Sequence, residues 1–161
     1  MAIRELRYEG DPILKKRSRE IEAIDDKIKQ LAEDMFDTMH KWDGLGLAAV
    51  QVGILKRIIV IDLYDDVSKF CLINPELIEL SDETAEIEEG CLSFPNQFGK
   101  VVRAVKVKVK ALDLDGKKVT LEAEGLLAQA LQHEIDHLEG ETFKEKIIPG
   151  TFEVVTPKEE D

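Results

Sequence analysis

The segment His133-Glu134-Ile135-Asp136-His137 constrains the fold more than any other stretch, because it sets two of only three histidines four residues apart. On a helix that spacing puts both imidazoles on one face, about 6 Å apart along the axis, within reach of one metal ion. Glu134, one position round from the first imidazole, can stay out of the coordination sphere and act as general base on a water at the metal. A helix carrying such a site needs a core that closes around it, and at 161 residues the chain is long enough for one.

The cover can be read from the flanking pattern. Leu126, Leu127, Ala130, Leu131 and Leu138 are available for burial, which predicts a helix over 125–139 with Gly140 as its stop. A first helix, capped near Asp25, runs through Ile28, Leu31, Ala32, Met35, Phe36 and Met39, and Gly44 is expected to supply the left-handed residue that ends it. His40, near its end, reads as a surface or capping histidine. Between the helices lie β-rich runs at 57–63, 69–73, 77–80 and 84–88, broken at Asn74-Pro75 and Ser81-Asp82. The alternation in 101–112 predicts one half-exposed strand, turned at Asp113-Gly116 and returned at 118–124, with Lys106, Lys108 and Lys110 opposite Glu122 and Glu124. The expected fold is α+β: mostly antiparallel sheets wrapped around a central metal-bearing helix, with the N-terminal helix packed outside.

The rest of the composition narrows the function. One domain over 1–161 is expected, with a short acidic tail at 150–161 that frays. The 22 basic and 34 acidic residues give a net charge of −12, which repels a phosphate backbone, so direct nucleic-acid binding is not expected. No stretch approaches the roughly 18–20 apolar residues of a membrane span, and the start lacks a signal-peptide pattern, so a cytoplasmic protein is expected. Cys71, in Phe70-Cys71-Leu72-Ile73, reads as a small buried hydrophobe, and Cys91 as something else.

A catalytic site at the two histidines needs a third ligand. In metzincin proteases it is a histidine six residues beyond the second, where this chain has Phe143. Glu141, Glu145 and Glu153 look like surface charges on a short tail. Cys91 is better placed: Glu89-Gly90-Cys91-Leu92-Ser93 follows a strand, and Gly90 permits a bend that aims the thiol inward. A Cys/His/His set leaves the fourth position open, as catalytic sites do. The small-residue stretch from Gly44 to Gly53, with the amide of Gln51, lets backbone approach a ligand, but it fails as a dinucleotide loop because Ala49 holds the third glycine position. Glu89, Asp136 and Arg103 either orient a ligand or are solvated charges, and Phe94, Ile87, Leu126, Leu127 and Leu131 are possible walls of an apolar pocket.

These residues resemble the peptide deformylases, whose three signatures are matched by Gly44-Leu45-Gly46-Leu47-Ala48-Ala49-Val50-Gln51, by Glu89-Gly90-Cys91-Leu92-Ser93 and by His133-Glu134-Ile135-Asp136-His137. The similarity runs from Asp11-Pro12-Ile13-Leu14 to about Ile147. Two departures stand out: Val50 replaces a usual proline, and a short acidic tail replaces a frequent C-terminal helix. The resemblance implies removal of the formyl group from N-formyl-methionyl nascent peptides, with formate released and the ribosome transiently near. It implies a divalent metal on Cys91, His133 and His137, with ferrous iron favoured and zinc, nickel or cobalt as substitutes. It implies Glu134 as general acid and base, the Gln51 side chain and Leu92 N–H as oxyanion donors, and Leu45, Gly46 and Gly90 along the peptide cleft. The alternatives are a zincin-type protease with Cys91 incidental, a binding module with a structural metal, and a related enzyme for another small acyl group.

Overall fold

The computed structural model describes residues 2–155. Helix α1 spans Asp26–Lys41, and the carboxylate of Asp25 accepts the Ile28 N–H at 3.0 Å, satisfying one of the donors a helix start leaves open. Its Ile28, Leu31, Ala32, Met35 and Met39 are buried together, as the spacing predicted. The left-handed residue after it is Asp43, at φ 55°, and not Gly44. Gly44 is needed for room: a Cβ there would stand 2.7 Å from Leu92 Cδ1.

Eight strands follow: β1 Gly46–Ala48, β2 Ile58–Asp62, β3 Lys69–Leu80, β4 Thr84–Cys91, β5 Phe94–Ala104, β6 Lys106–Leu112, β7 Lys118–Glu124 and, after helix α2 (Gly125–Leu138), β8 Glu153–Val154. They form two antiparallel sheets, one in the order β1-β2-β3-β6-β7 and the other β4-β5-β8. Strand β2 is apolar at four successive positions because both its faces are covered. Ile58 and Val60 pack with α1, whereas Ile59 and Ile61 pack with Leu131, Ile135 and Leu138 of α2. Thus the larger sheet separates the two helices, and α2 also meets β5 of the smaller sheet. The α+β architecture is the expected one, with the sheets around α2 and α1 outside.

Three boundaries differ from expectation. Asn74-Pro75 does not end a strand: it is a bulge within β3, where Asn74 sits at φ 51° and the register jumps from Ile73–Leu112 to Glu76–Lys110. A bulge tolerates the missing proline N–H, and the Asn74 side chain there bonds both backbone groups of Ile21. Second, the run 101–112 is two strands, since the chain leaves the smaller sheet after Ala104 and joins the larger at Lys106. The alternation conceals this, because Val101, Arg103, Val107, Val109 and Ala111 are all buried and in phase. Third, the expected fraying from 150 does not hold for Glu153 and Val154, which pair with Phe98 and Gln97 of β5; residues 156–161 lie outside the described ones. The lysine-glutamate face is as read, with Lys106 opposite Glu124 and Lys108 opposite Glu122. Among the described residues no helix is long and apolar enough to cross a membrane. Both cysteines are free, and Cys71 packs partly buried against the α1 side of the larger sheet.

Candidate active site

Strand β4 delivers Cys91 at its last residue, where the pairing with β5 slips between Glu89 and Cys91 and Leu92-Ser93 turn the chain back. Gly90 does not take the left-handed conformation; its lack of a side chain makes room for Phe98, whose Cε1 would lie 2.7 Å from a Cβ. The slip brings Cys91 Sγ to 3.4 Å from Nε2 of His137. One turn back along α2, the His133 ring stands 5.0 Å from that of His137 at 68°. One ligand atom from each of Cys91, His133 and His137 falls within 4.8 Å of the others. The third histidine, His40, is engaged with Asp62, Nε2 to Oδ2 at 2.8 Å, as a partly exposed residue.

Charged residues behind the triad set its geometry. Glu89 Oε1 lies 2.7 Å from Nδ1 of His133, which leaves Nε2 as the free ligand atom of that ring. Arg103 on β5 clasps Glu89 through two N–H groups at 2.6 and 2.8 Å and donates a third to Asp136 at 2.7 Å. Lys146 closes on Asp136 from outside at 3.2 Å. Burial disfavours the Glu89 carboxylate, but Arg103 and His133 outweigh it and hold its pKa at about 2. His133 is buried too, yet Glu134, Cys91 and Glu89 push its pKa well above the usual value, whereas burial and the neighbouring His133 push His137 well below. A cation bound here takes the place of the His133 proton, since a ligating nitrogen must be unprotonated.

Glu134 faces the same space. Its Oε2 is 3.9 Å from His133 Nε2, and its Oε1 is buried with no hydrogen-bond partner among the described residues. Burial raises its pKa to about 7, the range in which one carboxyl can both take and return a proton near neutrality. Gln51, in the helical turn Ala49–Val52, is buried and held at both ends of its amide. Oε1 accepts the Ala48 N–H at 2.9 Å, and Nε2 donates to Ser93 Oγ at 3.1 Å while standing 3.4 Å from Cys91 Sγ. Val50, where the resemblance has proline, is wholly buried in the α2 cluster and disturbs none of these contacts.

A family model described as polypeptide deformylase matches residues 3–152. The chain belongs to the polypeptide deformylase family. Peptide deformylase of Natranaerobius thermophilus is 51% identical over 143 residues, which are 89% of this chain and 91% of that protein. Peptide deformylase 1 of Clostridium perfringens is 53% identical over 143 residues, 89% of this chain and 97% of that one. The crystal structure of peptide deformylase from Thermotoga maritima matches with a TM-score of 0.89 at 41% identity, over 92% of this chain and 100% of that chain. Membership makes the chain an enzyme, a metal-dependent hydrolase that removes N-formyl groups from peptides.

In this deformylase Cys91 and His133 of the triad border a cleft of about 820 Å³, with His137 wholly buried behind them. Leu45, Gly46, Gly90, Leu92 and Glu134 line it, and so do Phe94 and Leu126 from the expected apolar walls. Three expected wall residues lie elsewhere: Leu131 is wholly buried in the α2 cluster, Leu127 packs against that cluster, and Ile87 sits back along β4 opposite Val101. Sequence reasoning gave Ser93 no role although it stands in a matched signature, did not find Trp42 or Phe98, and left Glu89, Arg103 and Asp136 undecided. Phe143, which stands where a metzincin has its third ligand, is a packing residue instead, 5.9 Å from the His133 ring and edge-on to Phe94 at 5.5 Å. The edge strands β1 and β4 of the two sheets both border the cleft.

Proposed function

We propose that this deformylase hydrolyses the formyl group from the N-terminal formyl-methionine of newly made proteins, with Cys91, His133 and His137 holding one divalent cation. The observation that carries the reading is the convergence of those three ligand atoms beside the unpartnered, buried oxygen of Glu134. A thiolate with two imidazoles suits the cation, which when bound supplies a Lewis acid and lowers the pKa of water. Ferrous iron is the metal we assign, with zinc, nickel or cobalt as substitutes.

Glu134 takes the proton from the attacking water and returns it to the leaving amine, a double duty that its pKa of about 7 suits. The oxyanion formed at the formyl carbon accepts from the Gln51 amide, aimed by Ala48 and Ser93, and from the Leu92 backbone N–H. An extended peptide lies between the edges β1 and β4, along Leu45, Gly46 and Gly90, as an added strand. Phe94 and Leu126 supply apolar surface for the methionine side chain. Residues 1–161 act as one metallohydrolase domain, in the cytoplasm where formylated chains emerge near the ribosome.

The test is formate release from formyl-Met-Ala-Ser with metal analysis of the same sample. Glu134→Gln is expected to retain its metal and lose about 2–4 decades of kcat. A variant that keeps both metal and rate would remove Glu134 from the reaction and favour a structural metal.

A further inference from the structure

Tyr64 occupies the turn between β2 and β3 at φ 58°, a backbone conformation that bulky residues rarely adopt. Although the residue is 52% exposed, its hydroxyl donates to the Gly44 carbonyl at 2.7 Å. The next carbonyl, that of Leu45, accepts the Asp62 N–H at 2.9 Å. Asp62 in turn fixes the turn: its Oδ1 accepts the Tyr64 N–H at 2.9 Å, and its Oδ2 meets His40 at 2.8 Å. The Tyr64 ring lies 5.6 Å from that of His40. So Tyr64 of the strained turn and Asp62 at the end of β2 fasten two successive carbonyls of the segment that walls the cleft, Gly44-Leu45-Gly46. That segment has two glycines and little stiffness of its own. Strain at such a residue persists where surrounding contacts over-determine it.

We propose that Tyr64 is a positioning residue: by pinning the Gly44 carbonyl it fixes the β1 wall of the cleft and sets the affinity for the extended formyl peptide. The inference rests on the deformylase reading of the cleft given above. Tyr64 touches no reacting group. Glu134 and the histidines stand on α2 and Cys91 on β4, and the β1 residue packed on Glu134 is Gly46, beyond the two carbonyls fastened here, so loosening Gly44-Leu45 weakens substrate and transition state alike and shows in KM rather than kcat.

Tyr64→Phe removes the hydroxyl and keeps the ring beside His40. Steady-state kinetics on formyl-Met-Ala-Ser, metal content and Tm would be measured together. The expected result is a KM raised about three- to ten-fold with kcat and metal content unchanged, and a Tm lowered by no more than the few degrees that one intramolecular hydrogen bond is worth. Val67→Ala, at a 78% exposed position of the same turn, is expected to keep the wild-type KM. An unchanged KM in Tyr64→Phe would overturn the inference, as would a fall in kcat, metal or Tm without a rise in KM, or an equal rise in Val67→Ala. Absence of deformylation by the wild-type, metal-loaded protein would instead overturn the reading on which it rests.

Discussion

A methyl group added at Gly46 would stand 2.7 Å from Oε2 and 3.0 Å from Cγ of Glu134, so Gly46→Ala must displace that carboxyl. Gly46 is not in a left-handed conformation, and the strain therefore falls on Glu134 and not on the backbone. Gly46→Ala is expected to lower kcat/KM by about 10- to 100-fold with metal content intact, which a formate-release assay with metal analysis would check. Full activity would show that the position of Glu134 is immaterial. At this scale the sequence was most legible where chemistry depends on local spacing. The two histidines and Glu134 lie within five residues, and Cys91 follows a strand with a glycine before it. Glu89 and Arg103 could not be told from solvated charges, since they stand opposite Gly99 and Ala85 in the β4–β5 register and meet only through their side chains in the folded protein.

Arg103 ties three elements: it sits on β5, clasps Glu89 of β4 and reaches Asp136 of α2. Both Arg103 and Glu89 are buried, so removing the guanidinium leaves a carboxylate without its main partner in a place that water scarcely reaches. Arg103→Met is expected to destabilise the protein by about 3–5 kcal/mol in chemical denaturation. Because Glu89 orients His133, it is also expected to weaken metal binding about 10- to 100-fold in competition with a chelator. A variant of wild-type stability and affinity would show that these ion pairs hold neither the elements nor the ring. Helices α1 and α2 were legible from their 3.6-residue pattern, and α2 also from its stop at Gly140, whereas the left-handed residue after α1 is Asp43 and not the expected Gly44. The sheet change at Val105 was not, because a period of two reports which face is buried and is silent on which sheet buries it.

Across the whole molecule, a five-stranded sheet lies between the two helices, and the edges of its β1 and of the smaller sheet's β4 border one cleft. That arrangement places the Cys91 sulfur, an easily oxidised ligand atom, beside an open space. Protein purified without oxygen is accordingly expected to carry iron and high activity, and to lose both in air as the metal and the Cys91 sulfur oxidise. Zinc-loaded protein as active as the iron form would contradict the metal assignment. The α+β class followed from the strands outnumbering helical residues around one metal-bearing helix. The division into two sheets, and the pairing of Glu153-Val154 with β5, depend on contacts distant in sequence and left no periodic signal.

The central claim, one thiolate and two imidazoles on a single cation with a position left open, is most directly tested by the X-ray absorption spectrum of the zinc-loaded protein. The expected spectrum has one sulfur at about 2.3 Å, two imidazole nitrogens at about 2.0–2.1 Å and one further light atom, with the sulfur lost in Cys91→Ser. A spectrum with no sulfur, or with four protein ligands closing the site, would contradict it.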